Sequence, residues 1–249
     1  MIYSCNGKCI ESIKLLDNSI LNSLIINFIS SLDINDQSNL NKKVNNFYNF
    51  IKFKYRIKCE VGMLFIEAMF IHKLFDEFKI AHNNLLVEEK IKLYRFIKPE
   101  HLKISVDSVK LDKIVSSFNN LSVSNIPSCK IYYIMNAFQT IFDILGKDIE
   151  YDQMLSIVIY SIIKADLKDM YNQIKLIKHF KRSYVDKCIV DCCHGFNIDI
   201  NCDCLKSDDY SGEEEYYIIT CEAAIEYIEK MEYSNLNISI KEYNKHIDL

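Results

Sequence analysis

Only two prolines and five glycines interrupt 249 residues. Proline fixes φ and glycine reaches positive φ, so these residues build most tight turns. A chain so short of them is poorly suited to a β-sandwich, a propeller or a glycine-rich nucleotide loop. The apolar spacing points the same way. Ile131, Ile134, Met135, Phe138, Ile141, Phe142 and Leu145 step by three and four, the mark of an amphipathic helix. Met63, Ile66, Phe70, Leu74 and Phe78 do the same, with Glu67, Lys73, Asp76 and Glu77 assigned to other faces. So do Leu111, Ile114, Val115 and Phe118, and Cys221, Ala224, Ile225, Ile228 and Met231.

Leu155 to Ile163 is rich in β-branched residues and would suit a buried strand as well. No partner strand is evident and its flanks carry no turn residues, so it is read as helix. Ser239 and Glu242 form a capping box that opens a last short helix. The asparagine-rich stretch Asn35–Asn46 reads as a loop, and a second break falls at Pro99. The expectation is an all-α chain, with an N-terminal helical bundle over 1–95 and a second helical domain over 96–249.

Lys and Arg number 30 against 34 Asp and Glu, a net charge of −4. Wrapping nucleic-acid phosphates calls for the opposite balance, so no nucleic-acid partner is expected. The charge is uneven: residues 199–229 hold ten acidic residues and one lysine, while residues 1–198 carry a net +5. The acidic stretch reads as a solvated loop and helix face. The basic balance upstream would suit an anionic membrane surface, although no basic amphipathic helix or lipidation signal stands out. The longest apolar run, Met154 to Ile163, fits a core segment and is too short to span a bilayer. The N-terminus lacks the basic and apolar regions of a signal peptide. The ten cysteines are therefore read as reduced, intracellular thiols. No HExxH motif, Ser-His-Asp order or phosphate-binding loop supports hydrolytic or ATP chemistry. His101, His179 and His246 are scattered and read as surface or satisfied histidines.

Three segments carry a more specific signal. Tyr151 to Ala165 carries Asp152 near its start, continues into an apolar run and includes Tyr160 and Lys164. Met170 to Phe180 carries Ile174, Ile177 and Phe180 as apolar positions. Gly212-Glu213-Glu214-Glu215-Tyr216-Tyr217 is followed by Ala223 to Glu229. In this order and spacing they resemble the VPS-nine domain found in guanine-nucleotide exchange factors for endosomal Rab GTPases. Arg95 to Leu102 is similar to the segment that opens that domain, and Ile126-Pro127 to its next element. The resemblance covers about residues 96–249. The helices near 44–94 look like the bundle preceding the domain in Rabex-type factors, and residues 1–30 match nothing.

The resemblance implies an all-α layered domain that stimulates GDP release from a Rab-five-type GTPase in endosomal or vacuolar trafficking. It implies a cytoplasmic protein recruited to those membranes, with peripheral rather than transmembrane association. The family's acidic finger falls on Asp152, for which a simple helix N-cap is the alternative reading. The family's functional tyrosine falls on Tyr216. Tyr160 and Lys164 fit the pattern as packing and surface positions. GTPase-binding positions fall on Ser156, Tyr217, Ile219 and Thr220. Two depart from the pattern: Ser156 stands where the family has proline, and Ile219 where it has threonine, with Thr220 one place late. A one-residue shift turns a side chain by about 100° around a helix, so Thr220 cannot simply substitute. These departures support an alternative, a degenerate domain that binds a Rab or another partner without exchange. A further alternative is a helical interaction module with a zinc loop and no GTPase partner.

No cofactor is required by the exchange reading. An insertion over about 183–211 nevertheless gathers Cys188, Cys192, Cys193, His194, Cys202 and Cys204. Thiolates and imidazole in that number suit a structural zinc. Their spacing lacks the two-residue knuckle common in such sites, so a loop of reduced cysteines is the competing reading.

Overall fold

The computed structural model describes residues 18–33, 36, 39–57, 60–81, 84–165, 167–182 and 213–247. Among the described residues, ten α-helices and short 3₁₀ turns make up the architecture, and no strand occurs. The helices are α1 (Asn18–Ser30), α2 (Leu40–Lys54), α3 (Glu60–Ala81), α4 (Leu85–Leu93), α5 (Ser108–Asn119), α6 (Pro127–Leu145), α7 (Tyr151–Lys164), α8 (Met170–Phe180), α9 (Glu214–Lys230) and α10 (Ile240–Ile247). The all-α expectation holds. Lys98 is extended before Pro99, which starts a 3₁₀ turn, as the proline requires. Ser239 Oγ accepts from the Glu242 N–H at 3.2 Å and caps α10. Gly146 ends α6 at φ +90, and its N–H donates to the Phe142 carbonyl at 2.8 Å.

The chain forms two compact units, each drawn from separate stretches of sequence. The first comprises residues within 1–82, 124–132 and 175–209; the second comprises 83–123, 133–174 and 210–249. In the first, α1, α2 and α3 enclose a core with Leu176 and Phe180 of α8. Phe28 stacks on Phe47 at 4.1 Å, and Phe70 meets Tyr48 edge-on at 5.6 Å.

Two features of this unit differ from the sequence reading. Residues 40–46 are helical, although asparagine disfavours helix interiors. Leu40, Val44, Phe47, Tyr48 and Ile51 form a buried stripe whose burial outweighs that preference. The asparagines have a second use: Asn41 Nδ2 donates to the carbonyls of Lys178, His179 and Lys181, and Asn45 Nδ2 to that of Lys181. Together they satisfy the C-terminal end of α8.

Glu67, expected on a polar face, is fully buried. Arg182 Nε donates to its Oε2 at 2.6 Å, and the Ser128 N–H and hydroxyl donate to the same carboxylate. A buried charge is tolerated only when paired in this way. Burial raises the Glu67 carboxyl above its usual range, and Arg182 and Ser128 offset that only in part.

In the second unit α7 packs against α4, α5 and α9. Met154, Ile157, Val158, Ile159, Ile162 and Ile163 are all buried, so α7 is apolar over much of its circumference. This settles the helix-or-strand ambiguity: burial on several sides outweighs the β-branched content. Tyr94 Oη donates to the Met231 carbonyl at 2.9 Å and ties α4 to the end of α9. The expectation of thiols throughout fails at Cys129, which is disulfide-bonded. Cys221 is a free thiol, pushed up to about 12 by burial and the Glu222 carboxylate.

A folded pKa above the unfolded value means that the stability linked to Glu67 is present at low pH. It is lost as pH rises through the folded pKa. Arg182→Ala removes the partner and raises that pKa further. The variant is expected to lose about 3–5 kcal/mol at about pH 8, and less at about pH 5, where Glu67 takes up a proton. Urea denaturation at both pH values checks this; an equal loss at both would contradict the assignment.

Candidate functional site

The site grows from the first turn of α7. Glu150 is the N-cap and makes no side-chain cap bond. Asp152 is therefore not the cap; it sits in the first turn with its side chain exposed. The helix dipole favours a carboxylate there. Ser156 follows one turn later and is half-buried. Met154, Ile157 and Val158 on either side of it turn into the core. The acidic group is thus held in the exposed first turn of α7.

Helix α9 packs beside α7 and supplies the second wall. Tyr216 and Ile219 lie three residues apart, on one face, and are 44% and 50% exposed. Tyr151, just before Asp152, is 45% exposed. Partial burial and the neighbouring Tyr151 phenol push the Tyr216 phenol up. Exposed apolar and aromatic side chains beside a carboxylate form the kind of surface that buries against a protein partner. Tyr151 was not singled out from the sequence. Its signal was present: a large aromatic immediately before Asp152, outside the apolar stripe of α7.

Two other candidate positions face inward. Tyr217 stacks on Phe138 at 4.3 Å, and its hydroxyl donates to Glu213 Oε2 at 3.0 Å. Thr220 is buried, and its hydroxyl donates to the Tyr216 carbonyl at 2.8 Å. Helical rotation separates these pairs: Tyr216 and Ile219 point out, Tyr217 and Thr220 point in. Thr220 therefore does not stand in for a hydroxyl at position 219.

Tyr160 and Lys164 serve packing. Lys164 Nζ donates to the Arg95 carbonyl at 2.7 Å and lies 5.6 Å from the Tyr160 ring centre. His101 is buried, and its Nδ1 accepts from the Lys98 N–H at 3.1 Å. His246 stacks on Phe96 at 4.3 Å. The candidate zinc ligands Cys188, Cys192, Cys193, His194, Cys202 and Cys204 lie outside the described residues.

Residues 111–233 match the family model of the vacuolar sorting protein 9 (VPS9) domain. The match runs from within α5 through α9 and includes every residue of the site above. No curated protein matches the chain.

Opposite facing predicts opposite consequences for the adjacent tyrosines. Tyr217→Ala should cost about 3 kcal/mol, because it empties a stacked core position. Tyr216→Ala should change stability by less than about 1 kcal/mol. Urea denaturation of the two variants decides it; equal losses would contradict the assigned orientation.

Proposed function

We propose, on the premise that residues 111–233 place this chain in the VPS9 domain family, that it is an exchange factor for a Rab-five-type GTPase. Membership itself implies Rab-type nucleotide exchange and a small-GTPase partner. The choice of a Rab-five-type substrate and the residue roles are our reading. One observation carries it most: a carboxylate, Asp152, exposed in the first turn of a largely buried helix next to exposed Tyr151, with Tyr216 and Ile219 exposed on the helix packed against it.

Small GTPases hold guanine nucleotides with a phosphate-loop lysine and Mg²⁺ neutralising the phosphates. A picomolar dissociation constant corresponds to about 16 kcal/mol. Asp152, inserted into that pocket, repels the phosphates and offers the lysine another partner. A unit-charge pair at about 4 Å is worth roughly 4 kcal/mol at an effective dielectric of 20, an idealised upper figure. That corresponds to about a thousandfold in an equilibrium constant. Tyr216 contacts the GTPase switch region and borders the carboxylate; Ser156 and Ile219 line the same contact. The protein acts in the cytoplasm and is recruited to endosomal or vacuolar membranes. No helix among the described residues is long and apolar enough to cross a membrane.

A second reading rests on Ser156 and Ile219, which differ from the family pattern in the resemblance. It keeps the binding surface and removes the exchange activity. Release of a fluorescent guanine nucleotide from a panel of Rab GTPases separates the readings. The exchange reading predicts acceleration on an endosomal Rab by the wild type, abolished in Asp152→Ala, while capture of the nucleotide-free Rab persists. Capture without acceleration would establish the second reading instead.

A further inference from the structure

The outward face of α2 plays no part in the exchange site and lies outside residues 111–233. Its inward stripe is Leu40, Val44, Phe47, Tyr48 and Ile51. On the opposite side Phe50 is 48% exposed and Phe53 is 87% exposed. These two phenylalanines are three residues apart and share one face. Lys42, Lys43 and Lys54 are exposed on the same arc, and Lys52 and Arg56 lie close in sequence. Lys54 Nζ sits 5.4 Å from the Phe50 ring centre and 5.8 Å from that of Tyr55. No acidic residue occurs in α2. The ion pair of Lys43 with Asp36 at 3.6 Å is solvent-exposed on both sides and contributes little.

We infer that this face is a docking surface for an anionic lipid bilayer. Scattered exposed apolar residues are ordinary, but here both large ones stand among cations on a single arc. The chain as a whole carries −4, so general basicity does not explain the cations. Attraction across about one Debye length is decided by the local face. Phenylalanine has no polar tip that must stay hydrated, and on a convex helix it protrudes rather than lining a groove. Insertion among acyl chains removes it from water without a preformed pocket. Lysines alongside it meet the anionic headgroups, each strengthening binding by about fivefold. This combination of cations and protruding apolar residues is the physical pattern of an interfacial helix.

The chain contains no tryptophan, so Phe53→Trp introduces a single, unambiguous fluorophore at the proposed contact. The full chain is mixed with vesicles of phosphatidylcholine alone, or with about 30 mol% phosphatidylserine. Wild type should sediment with the anionic vesicles and not with the neutral ones. Phe50→Ser with Phe53→Ser should weaken that partition by about tenfold or more. Combined Lys42→Gln, Lys43→Gln and Lys54→Gln should weaken it by about a hundredfold. Emission of Phe53→Trp should shift to the blue and be quenched by brominated acyl chains. Undiminished sedimentation of the serine variant, or unshifted emission from sedimented Phe53→Trp, would overturn the inference. Retention on immobilised polyglutamate without vesicle binding would overturn it in favour of an acidic protein partner.

Discussion

Helix α7 is buried against α4, α5 and α9, and that burial governs the second unit. A helix covered over most of its circumference can present a charged side chain at low cost only near an end. The first turn of α7 is such an end, and Asp152 occupies it. The dipole of the same helix favours the carboxylate there. The fold thus presents the acidic group without burying it. Helix α9 completes the surface because its helical rotation splits two adjacent pairs. Tyr217 and Thr220 pack inward and fix the helix, which leaves Tyr216 and Ile219 outward.

The first unit relies on a different device. Its core is aromatic and aliphatic, yet it encloses the Glu67 carboxylate. Arg182 and Ser128 answer that charge, and Asn41 and Asn45 answer the exposed carbonyls at the end of α8. Buried pairs of this kind contribute little net stability but are costly to break, so they select one arrangement over its alternatives. Both sets of contacts join residues far apart in sequence. That is why this unit is assembled from separate segments rather than from the N-terminal region alone.

Much of the helical framework was legible because its signal is periodic. The apolar steps of α5, α6 and α9 appear directly in the sequence, and the absence of turn residues correctly favoured helix for α7. What escaped depended on tertiary contacts. Nothing local distinguishes Asn41 and Asn45 from loop asparagines until α8 supplies carbonyls to bind. Glu67 looked like a surface residue because its partner lies 115 residues away. Within the site, motif likeness located Asp152 and Tyr216 but could not separate Tyr216 from Tyr217 by facing. Tyr151 was missed because it belongs to no stripe, although it directly precedes Asp152; its proximity to Tyr216 marks it in the structure.

The central claim is that the charge of Asp152, and not merely its bulk, drives nucleotide release. The most direct measurement is the release rate from a Rab-five-type GTPase as a function of chain concentration, for wild type and Asp152→Asn. The account predicts that the saturating rate falls by about a hundredfold or more, with the half-saturating concentration changed only a few-fold. An unchanged saturating rate, with any loss confined to the half-saturating concentration, would contradict it.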